Sequence, residues 1–387
     1  MGAHARGRAG AHGWRPGLAV AASMALVIIA GCASSGNPGG ASSGNPGSAS
    51  SVGVGFSQAG SQGRGSAEGV GVASSLQVRS GRNKANGRTS SFSNPAGVVN
   101  GVLFGGDVPL AVVEQKLGRK LAIVRVYYVL GENFPRKIDS QLMASGSTEL
   151  VSLDTTPGGA SYASIAAGHE DGNILPFLKA VNAAAVQYHL GAIYMTFEHE
   201  ANVFETHTGL GTPAQFVQAW DHVHQLAVSA HLDWQQGGRM HWALILSHWA
   251  FSEGRAGQYW PGLSEFDVLA TDGYNSGDCK SGQVKNSSYV SPSWIFGPVL
   301  SFAKTHGAPP VFIAEWGSVA FPSPSVRPNF IRQMQSFVAA NPEIHAAMYW
   351  NGVARCSYSV NNYPASLAAL ADMAHAPLFQ GQIMAAD

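Results

Sequence analysis

From Gly101 onward, short apolar runs alternate with longer segments in which apolar residues recur every three or four positions. A short apolar run reads as a buried strand, and a period of three to four as one face of an amphipathic helix. The runs Val102–Gly105, Leu121–Val129, Glu149–Leu153, Ala192–Phe197, His241–Leu246, Phe266–Thr271, Val311–Ala314 and Ala346–Trp350 therefore predict eight strands. Helical period predicts helices over Leu110–Leu117, Ile174–Tyr188, Pro213–His231, Ile295–His306, Pro328–Ala340 and Pro364–Ala374. Thr212 before Pro213 has the form of an N-cap followed by a first-turn proline, and Arg327-Pro328 puts a second proline at a helix start. Repeated strand–helix alternation predicts a parallel sheet. Eight rounds within about 290 residues favour a closed (β/α)8 barrel over an open doubly wound sheet. Gly105-Gly106 after the first strand is a lone glycine pair and does not make a phosphate-binding loop.

Before this pattern begins, the chain reads differently. Arg6, Arg8 and Arg15 precede an apolar run from Leu18 to Ala30, which is short for a membrane span and suits a signal-peptide core. The run ends in Ile29-Ala30-Gly31-Cys32, which resembles a bacterial lipobox. Acylation of Cys32 would anchor the protein to the outer face of a bacterial membrane, whereas an ordinary signal peptide would leave it secreted. SSGNPGGA and SSGNPGSA follow, in a Gly- and Ser-rich stretch too poor in apolar surface to order itself. The expected organisation is a signal over residues 1–31, an acylated cysteine and flexible linker over 32–98, and one barrel over 99–387. Cys279 and Cys356 are expected to pair in an oxidising compartment, the alternative being two buried thiols.

Composition narrows the function. Hydrophobic residues make up 45% of the 387 and charged residues 12%, which suits a large core. Lys+Arg and Asp+Glu balance at 23 each, so no net field recruits a nucleic acid or an acidic polymer, and the expected partner is uncharged. In a (β/α)8 barrel the chemistry sits at the C-terminal ends of the strands. The residues there are Asp107, Tyr127, Tyr128, Asp154, Glu198, His199, Glu200, Asn202, His248, Trp249, Asp272, Tyr274, Glu315, Trp316, Trp350 and Asn351. Indoles stack on the apolar faces of sugars while polar groups bind their hydroxyls, so this mixture suits a carbohydrate groove. Glu200 and Glu315 end the fourth and seventh strands, and glycoside hydrolysis needs two such carboxyl groups. Glu198 competes with Glu200, because in an extended segment the two would face the same side. Glu198-His199-Glu200 lacks the helical spacing of a zinc site, and no metal or other cofactor is expected.

His199-Glu200-Ala201-Asn202 resembles the H-E-x-N motif of glycoside hydrolase family 26, whose best-known members are β-mannanases. IAAGHEDGNILPFLKAV upstream, and QYWPGLSEFDVLATDGYN, IAEWG and MYWNG downstream, resemble other segments of that family, so that the likeness spans residues 100–375. It implies a retaining, endo-acting hydrolase with Glu200 as acid/base and Glu315 as nucleophile. Tyr274 would donate to Glu315, and His199 would orient nearby groups. Asn202 and Asp272 lie in the same motifs, Trp350 would floor the subsite of the cleaved sugar, and Trp249 or Trp316 would add stacking. The sequence departs from the family in SLDTTP, where mannanases carry a Trp-His pair, and at Thr196, where they carry arginine. Asp154 is left to take over some of those contacts. β-1,4-Mannan is the first expected substrate, with β-1,3-xylan and β-glucan as alternatives. A reading of another class is an inactive barrel serving as a surface carbohydrate-binding lipoprotein. A monomer is expected.

Overall fold

The computed structural model describes residues 95–155, 159–203, 209–354 and 356–384. The signal segment, Cys32 and the linker up to residue 94 lie outside the described residues. Eight parallel strands run β1 (Val98–Asp107), β2 (Ile123–Val129), β3 (Thr148–Asp154), β4 (Ile193–Phe197), β5 (Met240–Ser247), β6 (Val268–Asn275), β7 (Val311–Ser318) and β8 (Ile344–Tyr349). Each pairs with the next, and β1 pairs with both β2 and β8, which closes the barrel.

The strands alternate between two apolar layers. Leu103, Ile123, Leu150, Tyr194, Ile245, Val268, Phe312 and Met348 fill the interior, while their neighbours along each strand pack outward against the helices. Gly105 is needed here, since a Cβ on it would come within 2.5 Å of Ile123 and 2.7 Å of Met348. The barrel begins earlier than residue 99. Ala96 and Val98 belong to the interior layer, Tyr194 donates its hydroxyl proton to the Ala96 carbonyl, and His241 Nδ1 lies 2.9 Å from the Pro95 carbonyl. Residues 95–98 thus close the bottom of the barrel and are not linker.

Helices Asp171–Gln187, Pro213–Ser229, Pro292–Thr305 and Pro364–His375 lie where the period placed them. Thr212 accepts from the Gln215 N–H and the Gln215 side chain returns a bond to the Thr212 N–H, a complete capping box. Leu110–Leu117 is instead two short helices, Val108–Ala111 and Glu114–Leu117, and Val326–Ala340 starts two residues before Pro328. Proline is tolerated there because a first-turn N–H has no partner within the helix. A short ninth strand, β9 (Gln380–Ile383), runs antiparallel to β1. Its sequence, QGQI, lacks a run of apolar residues that would have revealed it.

Candidate active site

β4 ends at Phe197, and Glu198, His199 and Glu200 then turn sharply, with φ of 53° at Glu198 and 54° at Glu200. Residues other than glycine rarely adopt this left-handed region, and such strain persists only where the surroundings fix it. Here they do. The Glu198 carboxylate accepts the Thr155 N–H past β3, while the Glu200 N–H donates to Ile245 on β5 at 3.0 Å. Because the chain turns, the extended spacing expected to put Glu198 and Glu200 on one side does not apply. Glu198 is engaged with the β3 loop, and burial, then the nearby Asp154 charge, push its pKa up to about 8.

Neighbouring side chains lock the turn. Both the N–H and Nδ1 of His199 lie against Asp154 Oδ1, at 3.2 and 2.9 Å. Burial alone would lower the His199 pKa, but the charge and hydrogen bond of Asp154 outweigh it and raise it. Asn202 donates to Ser247 Oγ at 2.7 Å and accepts from the Ser247 N–H at 2.9 Å, which fastens the β4 turn to the end of β5.

Glu315 stands on β7 opposite Asp272 of β6, at a register shift between the two strands. Tyr274 donates to its Oε2 and Tyr127 to its Oε1, and Arg125 Nε lies 3.7 Å from Oε1. Arg125 also lies 4.0 Å from Asp272 Oδ2, and its guanidinium sits 5.1 Å from the Tyr127 ring centre. A buried cation needs a paired anion, and Arg125 has Glu315. Burial, then the charge of Glu315, raise the pKa of both tyrosines and of Asp272. The tyrosines therefore keep their protons and remain donors. Glu200 is buried too, and burial together with the Glu315 charge pushes its pKa up to about 7. The site holds two glutamates in unlike settings, one surrounded by donors and one kept protonated into the neutral range.

Sequence reasoning did not single out Arg125. Its signal was a lone cation inside the apolar run of β2, two residues before Tyr127 and so on the same side of the strand. Trp316 is a correction in the other direction. It is fully buried, 4.9 Å from Tyr349 and 6.3 Å from Phe330 between ring centres, because alternation along β7 turns Glu315 inward and Trp316 outward. No sugar stacks there.

Trp350 is partly exposed, 5.7 Å from Tyr274 and 5.4 Å from Tyr358. Gly352 makes room for it, since a Cβ there would come within 2.5 Å of the indole. A Cys279–Cys356 disulfide joins the loops after β6 and β8, and both cysteines share an apolar cluster with Tyr274, Trp350 and Tyr358. Asp107 on the rim is structural. One carboxylate oxygen caps the helix at the Leu110 N–H and the other accepts from the Asn351 N–H, both at 3.0 Å. Tyr128 belongs to the outer layer, where it donates to Asp139. Among the described residues, no group of three or more His, Cys, Asp or Glu side chains is arranged to hold a metal ion.

No family model matches the chain, and a search of curated proteins gives no match. Solved structures do match. A GH26 protein from Muricauda sp. has 12% identity and a TM-score of 0.52, covering 72% of this chain and 86% of its own. A GH26 β-mannanase from Bacteroides ovatus has 15% identity and a TM-score of 0.52, covering 72% and 90%. A modular endo-β-1,4-mannanase from Cellulomonas fimi has 15% identity and a TM-score of 0.50, covering 74% and 75%. The chain shares the (β/α)8 fold of these family 26 structures.

Proposed function

We propose that this chain is a retaining glycoside hydrolase acting on a neutral β-linked polysaccharide, with Glu200 as acid/base and Glu315 as nucleophile. The observation that carries the reading is the contrast between the two carboxyl groups. Both oxygens of Glu315 accept from tyrosines, whereas Glu200 is held protonated to about 7 by burial and by the Glu315 charge. Carboxyl groups in settings this different divide into base and acid.

In the first step a Glu315 oxygen attacks the anomeric carbon, the glycosidic C–O bond breaks, and Glu200 delivers its proton to the departing oxygen. In the second step Glu200, now a carboxylate, takes a proton from the water that displaces Glu315, and the anomeric configuration is retained. Trp350, packed edge-on against both Tyr274 and Tyr358, offers an indole face to the sugar undergoing cleavage.

A neutral substrate follows from the balanced charge, and β-1,4-mannan is the first to test, given the His199–Asn202 motif and the mannanases that share the fold. β-1,3-Xylan and β-glucan come next, because Thr196 stands where family mannanases carry arginine. Acylation at Cys32 would hold the enzyme at a bacterial surface, and replacing Cys32 by Ala should then shift it out of the membrane fraction. The function is tested by incubating the chain with these three polysaccharides and measuring new reducing ends. Depolymerisation of at least one is expected, lost in Glu315→Ala, with Glu200→Ala retaining turnover of activated aryl glycosides and rescued by azide. Binding without cleavage would replace the enzyme by a carbohydrate-binding barrel, and cleavage that survives Glu200→Ala but not Glu198→Ala would overturn the assignment of the acid.

A further inference from the structure

Among the described residues, Trp249 and Trp294 are the two exposed tryptophans, at 37% and 50% accessible. They lie together, edge to face, with ring centres 5.9 Å apart. The buried ring of His248 backs both, 4.3 Å from Trp249 and 6.0 Å from Trp294. Burial pushes the His248 pKa down to about 4, so no charge forms beneath the indoles near neutral pH.

The fold puts this pair on the face that bears the two glutamates. Trp249 comes two residues after Ser247, the last residue of β5 and the one that clasps Asn202. Trp294 lies in the first turn of Pro292–Thr305, where Ser291 Oγ accepts its N–H, and Asn275 at the end of β6 accepts the Val290 N–H at 3.1 Å. Ile295 and Phe296 pack against Gly273, where a Cβ would come within 2.4 Å of Ile295. Both indoles are thus tied to the ends of β5 and β6. The Glu200 turn is itself hydrogen-bonded to β5, the strand that Trp249 follows, while Trp294 is tied to β6, which lies between β5 and the β7 that bears Glu315.

We propose that Trp249 and Trp294 form a sugar-stacking subsite for the leaving-group portion of a β-linked polysaccharide. The assignment of the side rests on the glycosidase reading above, since Glu200 protonates the departing oxygen and the chain beyond that oxygen extends past β4 toward β5. Two indoles left exposed at one spot have apolar surface to bury, and pyranose rings offer a flat apolar face of matching size. Backing by a neutral, buried ring holds them in place for an uncharged ligand.

The test uses the full chain carrying Glu315→Gln, so that ligand is bound but not consumed, with β-1,4-mannohexaose, β-1,3-xylohexaose and cellohexaose as probes. At least one hexasaccharide should quench tryptophan fluorescence, and adding Trp294→Ala should weaken its binding by about threefold to tenfold. Trp294→Phe should restore most of that loss, which separates stacking from misfolding. In the otherwise native chain, Trp294→Ala should lower kcat/KM on polysaccharide more than on an aryl glycoside, whose leaving group carries no sugar. Binding of every hexasaccharide unchanged by Trp294→Ala, equal losses on both substrates, or a dimer that buries the pair would each overturn the subsite. Failure of the native chain to cleave any polysaccharide, with hexasaccharide binding still sensitive to Trp294, would instead overturn the hydrolase reading and leave the stacking site standing.

Discussion

At the scale of single residues, Tyr127 is the donor whose part is most readily measured. Its hydroxyl goes to Oε1 of Glu315 while Tyr274 takes Oε2, so Tyr127→Phe leaves one oxygen with Arg125 alone, at 3.7 Å. A hydrogen bond to a charged group contributes about 1.5–3 kcal/mol, so kcat should fall by about tenfold to a hundredfold. KM should change little, because the bond serves the carboxylate proposed to attack. An unchanged kcat would show that Tyr274 suffices. The pH profile tests Glu200. Its pKa is raised, so the proton that the proposed role requires is present below about 7 and lost above it. Activity should decline along a basic limb near that value, and a limb that persists in Glu200→Ala would belong to another group. The glutamates and Tyr274 were legible because each falls just past an apolar run. Arg125 and the outward turn of Trp316 were not, because they depend on which side of the strand faces inward, and that is fixed only when the barrel closes.

At the scale of elements, β3 carries a buried carboxyl that has no part in the proposed chemistry. Glu149 is fully buried, and neither of its oxygens has a hydrogen-bond partner among the described residues. Burial, then the nearby Asp139, push its pKa from the ordinary 4.5 to about 9. Its folded pKa is raised, so its contribution to stability is greatest below 4.5 and diminishes as pH rises toward 9. Glu149→Gln removes this titration. The melting temperature of the native chain should fall more between pH 5 and pH 8 than that of the variant, and parallel slopes would contradict the assignment. The sequence marked β3 by its apolar run and so concealed the cost of the glutamate within it. The eight parallel strands of the barrel were legible because parallel strands buried on both faces read as continuous apolar runs. The helix Lys137–Ala144 was not, since it is eight residues long and offers too few apolar positions to show a period.

At the scale of the whole molecule, the barrel is closed from below by residues that read as linker. Pro95, Ala96 and Gly97 accept hydrogen bonds from His241, Tyr194 and the Met384 N–H, which join the two ends of the described chain to the barrel floor. A chain beginning at residue 95 should melt as the full chain does, and one beginning at Gly101 should melt at a clearly lower temperature or fail to fold. Equal melting of the two would show that the floor contributes nothing. These contacts join residues some 100 to 290 positions apart, which no local pattern could reveal. The central claim is that Glu315 attacks and Glu200 first gives and then takes a proton, and the stereochemistry of the first-formed product tests it most directly. Proton NMR during early cleavage of the best polysaccharide substrate should show the new reducing end appearing as the β-anomer, before mutarotation mixes the two forms. A first-formed α-anomer would mean inversion at a single step and would contradict a covalent role for Glu315.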